Sequence, residues 1–262
     1  MKDKSLKDRY GDWALITGAS SGMGEEFARQ MASQGINLVL LARRSERLDA
    51  LGSELAKRYG IQCRSVVADL NAQDFLTSVA EQTADLKIGI LVNNAGFTNQ
   101  GEFLKNDLAA EERLVNVNCR AVTTLAHHYG RLMCQRERGA IIFTASIVGF
   151  TSVPLWGTYA ASKSYDLLFA EALAVELKPH NIDVMALCPG STHTEFANYE
   201  GFLAKLFVMK SDDVVGGALK SLGRKTVHIA GLMNKITVFS LRFIPRRIAA
   251  KLFGTLVRNM AH

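Results

Sequence analysis

This sequence predicts a single α/β domain built on a doubly wound, mostly parallel sheet of seven strands, with helices on both faces. Three observations predict it. Short apolar runs alternate with longer amphipathic stretches, runs such as Leu38-Val39-Leu40-Leu41 are apolar on both faces, and polar motifs follow the ends of the short runs. Strands that are apolar on both faces are typical of parallel sheets covered by helices on each side.

The elements follow in regular order. Strands are predicted at 13–17, 37–42, 63–69, 90–93, 140–146, 182–188 and 226–229, because apolar runs of this length bounded by polar turn residues are typical of strands. Helices are predicted between them at about 22–34, 45–59, 72–84, 108–136, 158–178 and 211–222. Ligands of such Rossmann-type folds bind beyond the carboxyl ends of the strands.

Composition favours one intracellular domain. The chain has 262 residues, of which 48% are hydrophobic, and it contains no linker, low-complexity tract or repeat, so a single domain over 1–262 is expected. The charged N-terminus lacks the apolar core of a secretory signal. The cysteines lie far apart without C-x-x-C spacing. They predict no metal site and no disulfide framework, and a cytoplasmic location fits.

The net charge of +6 is concentrated in the C-terminal tail. Residues 235–262 contain six basic and no acidic residues, which leaves the rest of the chain balanced and argues against a nucleic-acid-binding body. Because apolar residues alternate with these charges, 235–262 is predicted to be a basic amphipathic extension. It could contact an anionic membrane surface, cover a substrate pocket or pack in an oligomer.

A glycine-rich turn joins the first strand to the first long helix. Residues 17–24 read TGASSGMG, which predicts cofactor contacts at Gly18, Ser20, Ser21, Gly22, Met23 and Gly24. Glycines let backbone N–H groups approach a pyrophosphate, and the helix N-terminus adds about half a positive charge. The alternative is an ordinary tight turn, since the spacing differs from G-x-G-x-x-G.

The end of the second strand predicts the choice of cofactor. An acidic residue there accepts hydrogen bonds from the ribose 2′-hydroxyl of NAD, but this chain has Ala42 followed by Arg43 and Arg44. Guanidinium groups pair well with phosphate, so NADP(H) is expected rather than NAD(H), with Arg43 as the contact. The alternative is a solvated start of a helix.

Further cofactor contacts are predicted after the third and fourth strands. Asp69 could accept a hydrogen bond from the adenine amino group, or it could cap the helix that begins after Leu70. Asn94, Ala95 and Gly96 stand where the fourth strand meets the crevice, although their polar groups could instead satisfy local backbone atoms.

Three residues carry acid-base chemistry. Tyr159 and Lys163 are four positions apart on one predicted helix, so both project from the same face. The ammonium is expected to lower the pKa of the tyrosine from about 10 to roughly 7–9. Ser146, at the end of the fifth strand, can donate a hydrogen bond to a carbonyl oxygen on which charge develops.

Together these motifs resemble the short-chain dehydrogenase/reductase family, from about residue 12 to 195. The resemblance implies that Tyr159 donates the proton, Ser146 orients the carbonyl, and Lys163 binds the nicotinamide ribose. Asn118, with Asn116 as the alternative, would support a water-mediated proton path. Cofactor contacts are also implied at Pro189, Gly190, Thr192 and Thr194, the last of which would touch the nicotinamide carboxamide.

Two positions depart from the family pattern. Gly89 stands where many members have an aspartate. Ser21 stands where many NADP-preferring members have a basic residue, so the expected NADP preference depends mainly on Arg43.

The substrate side is expected to be apolar. Residues 194–210, which contain four aromatic residues, correspond to the family's variable substrate lid, although they could instead form core or subunit contacts. The implied activity is NADP(H)-dependent reduction of an apolar ketone or aldehyde, or the reverse. A homodimer or homotetramer is implied as well. The competing interpretations are an enoyl reductase, which the three-residue gap between tyrosine and lysine disfavours, and an NADPH-binding regulator without turnover.

Overall fold

The computed structural model describes residues 4–192 and 208–260. Its strands form one sheet in the order β3-β2-β1-β4-β5-β6-β7, and every neighbouring pair is parallel. The strands are β1 Trp13–Thr17, β2 Asn37–Ala42, β3 Cys63–Val67, β4 Ile88–Asn93, β5 Gly139–Thr144, β6 Ile182–Cys188 and β7 Val227–Ile229. The predicted doubly wound fold is therefore confirmed.

Helices fill the crossovers between the strands. They are α1 Leu6–Tyr10, α2 Gly22–Ala32, α3 Ser45–Tyr59, α4 Phe75–Thr83, α5 Leu108–Val115, α6 Val122–Gln135, α7 Gly157–Glu176, α8 Ser211–Ser221, α9 Leu232–Ser240 and α10 Arg246–Met260. The short helix α1 was not predicted. It begins with a capping box, in which Ser5 and Asp8 each bond the other's backbone N–H, and such a box stabilises a helix start.

The core lies on both faces of the sheet. Alternate strand residues enter different layers: Ile16 packs with Phe27 and Met31 of α2, whereas Leu15 packs with Tyr129 of α6. This arrangement explains the continuous apolar strands in the sequence, because both faces of each central strand are covered by helices.

The predicted helix 108–136 contains an irregular segment. A π-helical segment, Asn116–Ala121, separates α5 from α6. Hydrophobic periodicity cannot reveal a segment of this kind, which is common at functional sites. Within it, the side chain of Asn118 is completely buried.

The C-terminal extension packs on the body of the protein through one side of α10. Ala249 and Val257 are buried, and Val257 shares a small apolar cluster with Val153. The other side of α10 leaves Leu252 57% exposed. Among residues 4–192 and 208–260, no helix is long and apolar enough to span a membrane.

Candidate active site

A cavity of about 750 Å³ lies over the carboxyl ends of the strands. Most of the sequence-predicted site residues line it: Gly18, Ser20, Ser21, Gly22, Met23, Arg43, Asp69, Asn94, Ala95, Gly96, Ser146, Tyr159, Lys163, Pro189, Gly190 and Thr192. Gly24 and Asn118 do not line the cavity and are buried. Thr194 and residues 194–207 of the predicted lid lie outside the described residues.

The glycine loop is fixed to the end of β4 by hydrogen bonds. The Thr17 hydroxyl accepts from the backbone N–H groups of Asn94 and Ala95, both at 2.9 Å, and donates to the main-chain oxygen of Val92 at 3.2 Å. The side-chain amide of Asn94 donates to the main-chain oxygen of Thr17 at 3.0 Å. These contacts set the position of the loop before any ligand binds.

Two glycines of the loop occupy positions that other residues would not fit. Gly18 has a φ of +66°, which disfavours residues with a side chain. A Cβ on Gly24 would lie 2.2 Å from the main-chain oxygen of Gly18. Ser21, at the N-cap of α2, makes no side-chain cap within the described part of the chain. This cradle therefore fits a pyrophosphate at a helix N-terminus.

The two arginines after β2 have different surroundings. The Arg44 guanidinium donates to the hydroxyls of Ser21 at 2.7 Å and Ser20 at 3.0 Å, so it holds the outer part of the glycine loop. Arg43 is exposed and lines the cavity. With Ala42 in place of a carboxylate, these residues fit a 2′-phosphate. No pattern in the sequence indicated the Arg44 contacts.

The sequence left two assignments open, the role of Asp69 and the choice between Asn118 and Asn116, and the structure bears on both. The carboxylate of Asp69 accepts from the backbone N–H of Asn71 at 3.0 Å. It does not cap α4, which begins at Phe75 with Asp74 at its N-cap, so that alternative is wrong. The side chain of Asn116 donates to the side-chain oxygen of Asn71 at 3.1 Å, and Asn116 does not line the cavity.

Asn118 instead connects two segments beside the tyrosine. Its amide nitrogen donates to the main-chain oxygen of Phe97 and to the Ser162 hydroxyl, both at 3.0 Å. The Ser162 hydroxyl in turn donates to the main-chain oxygen of Tyr159 at 2.8 Å. These bonds support the choice of Asn118 over Asn116.

Tyr159 and Lys163 share one face of α7, and both are buried. The Lys163 ammonium lies 5.9 Å from the centre of the tyrosine ring and donates to the main-chain oxygen of Thr144 at 2.7 Å. Burial lowers the pKa of Lys163, but the charge of Asp166 and then Tyr159 opposes it, and the net direction is upward. The lysine is therefore a fixed positive charge beside the phenol.

Ser146 stands at the start of a 3₁₀ turn, Ile147–Phe150, that follows β5. Its hydroxyl accepts from the backbone N–H of Val148 at 3.3 Å and donates to the main-chain oxygen of Pro189 at 3.4 Å. The latter contact joins the ends of β5 and β6. The serine, the tyrosine and the lysine thus line one cavity.

Part of the apolar wall of the cavity comes from the C-terminal extension, for which covering a substrate pocket was one of the alternatives that the sequence left open. Val153 and Trp156 line the cavity from the segment before α7, and Phe253 and Val257 line it from α10. The indole ring of Trp156 meets the ring of Tyr159 edge to face, with centroids 6.2 Å apart. The four-residue spacing of Phe253 and Val257 could have indicated a shared face of the tail helix.

Comparison with known proteins decides the family. The sequence profile described as short chain dehydrogenase matches residues 12–201. The chain belongs to the short-chain dehydrogenase family. It is 33% identical over 260 residues to a 7beta-hydroxysteroid dehydrogenase from Clostridium sardiniense, covering 98% of this chain and 100% of that protein.

Solved structures extend the family relationship. The structure of a 7beta-hydroxysteroid dehydrogenase, from work on its stereoselectivity, matches with a TM-score of 0.90 and 29% identity over 95% of this chain and 99% of that one. A short-chain dehydrogenase from Sphingobium yanoikuyae in complex with NADPH matches with a TM-score of 0.77 and 37% identity, over 83% and 87% of the two chains. This short-chain dehydrogenase is therefore an oxidoreductase of alcohol and carbonyl groups that uses a nicotinamide cofactor and a small-molecule substrate.

Proposed function

We propose that the protein is an NADP(H)-dependent oxidoreductase that reduces a bulky apolar ketone or aldehyde to an alcohol, or catalyses the reverse reaction. One observation carries the proposal. Ser146, Tyr159 and Lys163 line a cavity whose other side contains the glycine loop and Arg43. Acid-base groups and a dinucleotide cradle therefore face the same space.

The residues of the chain have separate tasks in this reaction. The nicotinamide, when bound, supplies a hydride to the carbonyl carbon or accepts one from the alcohol carbon. Tyr159 holds a proton at its phenol oxygen and transfers it to the carbonyl oxygen, while the Ser146 hydroxyl turns from the main-chain oxygen of Pro189 and donates its hydrogen bond to the carbonyl oxygen. The Lys163 charge stabilises the phenolate that remains, and Asn118 would support its reprotonation through water.

Several observations favour NADP(H). Ala42 leaves no carboxylate to repel a 2′-phosphate, and Arg43 supplies a guanidinium at the cavity. Arg44 is engaged with the serine hydroxyls of the glycine loop, which leaves the phosphate contact to Arg43. The similar NADPH complex from Sphingobium yanoikuyae supports the same preference.

The apolar wall favours a bulky substrate. Trp156, Phe253 and Val257 present aromatic and aliphatic surface next to the tyrosine, and such surface binds apolar ligands while polar groups fix their orientation. The hydroxysteroid relatives make a polycyclic carbonyl compound the first candidate. Long acyl or xenobiotic carbonyl compounds share the required apolar character.

Substitution of the tyrosine tests the proposal. Tyr159→Phe removes the proton donor, and we expect NADPH-linked turnover to fall by about 10² to 10⁴-fold while NADPH binding is retained. Turnover is measured on ketones and aldehydes graded from short and polar to polycyclic, and binding by NADPH fluorescence. Tyr165→Phe is the matched control on the same helix, because the Tyr165 hydroxyl is hydrogen-bonded to Thr123 and does not line the cavity.

The outcomes separate the enzyme from its competitor. Turnover that rises with apolar size and disappears in Tyr159→Phe supports the reductase and its wall. Tight NADPH binding with no turnover on any member of the panel would favour the catalytically silent NADPH-binding regulator. Unchanged turnover in Tyr159→Phe would refute the mechanism.

Four expectations stay predictions from the sequence. The lid over 194–210, assembly into a homodimer or homotetramer, and a cytoplasmic location are three of them. The fourth is contact of the basic tail with a membrane surface, for which Ile248 and Leu252 are exposed apolar residues of α10.

A further inference from the structure

Asp166 forms a buried ion pair with the lysine of the active site. The Lys163 ammonium donates to one carboxylate oxygen of Asp166 at 2.9 Å, and the two side chains are only 7% and 3% exposed. Residue 166 is absent from the motifs that carry the family resemblance and has no task in the proposed reaction. Asp166, a titratable group with no task in the proposed reaction, is thus ion-paired directly with Lys163, which the reaction uses.

Stability alone is a weak reason for this carboxylate. Removing two charges from water costs about as much as their attraction returns, and apolar residues of similar size often serve as well in such places. The adjacent Leu167 is buried in the apolar core of this layer. The second carboxylate oxygen of Asp166 is buried and has no hydrogen-bond partner among the described residues, and such an atom calls for an explanation.

The two thiols beside the pair are neutral near physiological pH. Burial, together with the charge of Asp166, raises the pKa of the Cys119 thiol to about 11. Burial also raises the pKa of Cys188, on β6, with Glu171 of α7 and Asp166 as further causes. Changes of charge among these buried groups therefore fall on Tyr159, Lys163 and Asp166, while Glu171 of α7 is exposed.

The charge balance of these three groups determines how readily the first proton leaves. Burial raises the pKa of the Asp166 carboxyl, and the charge and hydrogen bond of Lys163 oppose that rise. While Asp166 is ionised, Lys163 protonated and Tyr159 neutral, the net charge is zero, and loss of a proton produces a buried negative charge. Without the carboxylate, the site carries the buried positive charge of Lys163 while Tyr159 is neutral. Loss of the tyrosine proton then leaves a lysine–phenolate pair with no net charge. The second change is easier in a medium of low dielectric constant. The charge of Asp166 therefore keeps the proton on Tyr159 up to a higher pH.

We propose that Asp166 is a positioning residue that acts through Lys163 and prepares the site for carbonyl reduction, by keeping the proton on Tyr159 near neutral pH. This inference rests on the proposed function, since it requires Tyr159 to be the acid-base group. It also assigns a direction to the reaction, because a protonated tyrosine can protonate a carbonyl oxygen but cannot accept the proton of an alcohol.

Removal of the charge on Asp166 tests the inference without a substrate. The tyrosinate absorbance of the whole protein is titrated in the wild type and in Asp166→Asn, each referenced to the same protein carrying Tyr159→Phe, so that the difference reports Tyr159. We expect Asp166→Asn to lower the midpoint of this titration by a pH difference of about 1–2. Asp166→Glu keeps the charge and is expected to restore the wild-type midpoint.

Activity provides the second readout. The pH profile of alcohol oxidation with NADP⁺ should move to lower pH in Asp166→Asn. The ratio of oxidation to reduction at pH 7 should then rise about tenfold for a midpoint that is lower by about 1 on the pH scale. Asp166→Leu fills the same volume without polar atoms. Should Asp166→Asn fail to fold, the same lower midpoint and shifted pH profile are expected for Asp166→Leu. Unfolding of both would assign the pair to the stability of α7 and overturn the proposal.

Two failures are distinguishable. Titrations and pH profiles of Asp166→Asn that superimpose on those of the wild type would refute the role of Asp166 while leaving Tyr159 in place. Retained turnover in Tyr159→Phe would instead refute the proposed function, and that result does not depend on residue 166.

Discussion

The two sides of the catalytic cavity are built in different ways. On the cofactor side, backbone atoms make the decisive contacts: the Thr17 hydroxyl bonds the N–H groups of Asn94 and Ala95, and Gly24 lies directly against the backbone of Gly18. On the substrate side, Phe253 and Val257 of a C-terminal helix meet Val153 through apolar contacts. Backbone contacts fix the geometry of the cofactor side, whereas the surface of the substrate side consists of apolar side chains that other apolar residues could replace.

The contrast follows from the ligands. A pyrophosphate must be approached closely by N–H groups, which only a particular backbone path allows. An apolar substrate is bound by area and shape, which many combinations of side chains can provide. We therefore expect substitutions on the cofactor side to have large and general effects, and substitutions on the substrate side to have smaller effects that depend on the substrate.

The largest effect is expected for Gly24→Ala. The new Cβ would lie 2.2 Å from the main-chain oxygen of Gly18 and 2.6 Å from the side-chain nitrogen of Asn94, so the loop must shift. We expect a loss of about 1–3 kcal/mol in the free energy of unfolding and at least tenfold weaker binding of NADPH. Urea denaturation and NADPH titration measure the two effects.

Gly157→Ala is the matched control for this prediction. A Cβ on Gly157 meets nothing within 4 Å, so stability and cofactor binding should stay near wild type. Equal behaviour of the two alanine variants would mean that the glycine loop tolerates displacement, and the contrast between the two sides would lose its basis.

The two arginines should differ in a more selective way. Arg43→Ala removes a charged contact to the 2′-phosphate and is expected to weaken NADPH by about 10- to 100-fold, with little effect on NADH. Arg44→Ala releases the hydroxyls of Ser20 and Ser21 and should weaken both cofactors by a similar, smaller factor. Dissociation constants for NADPH and NADH check both variants. Equal losses of the two cofactors in Arg43→Ala would refute the phosphate assignment.

The smallest effect is expected on the apolar wall. Phe253→Ala removes cavity-lining surface and should raise KM several-fold for polycyclic ketones, while kcat, short ketones and NADPH binding change little. Leu252→Ala is the matched control, since Leu252 is exposed and does not line the cavity. A uniform loss across all substrates in Phe253→Ala would show that α10 supports the fold rather than selects the substrate.

Most residues that the sequence assigned to the cofactor side line the cavity, because the requirements of a close backbone approach appear as residue types. The strands β1, β2 and β6 have the predicted bounds, since continuous apolar runs end at polar residues. Glycines at 18, 22 and 24 mark a required backbone path. Arg44 was missed because its contacts with Ser20 and Ser21 depend on how the loop folds back on the end of β2.

Less of the chemical and substrate sides could be predicted. Asp166 stands three positions after Lys163, a spacing that allows an ion pair on one helix, but the burial of the pair depends on the rotation of α7, which turns both side chains into the core. The wall contributed by Phe253 depends on where the C-terminal helix docks, more than ninety positions after Tyr159 in the chain. Local patterns carry no information about such long-range packing.

The π-helical segment Asn116–Ala121 makes the length of this region critical. The segment directs the side chain of Asn118 at Phe97 and Ser162, and it leads into α6, where Tyr129 is buried in the core. Deletion of one residue would rotate α6 by about 100° relative to α5 and would move one of the two side chains out of place. A surface loop would absorb such an insertion or deletion, but in this helix it would displace either the core residue Tyr129 or Asn118, the residue proposed for the proton path.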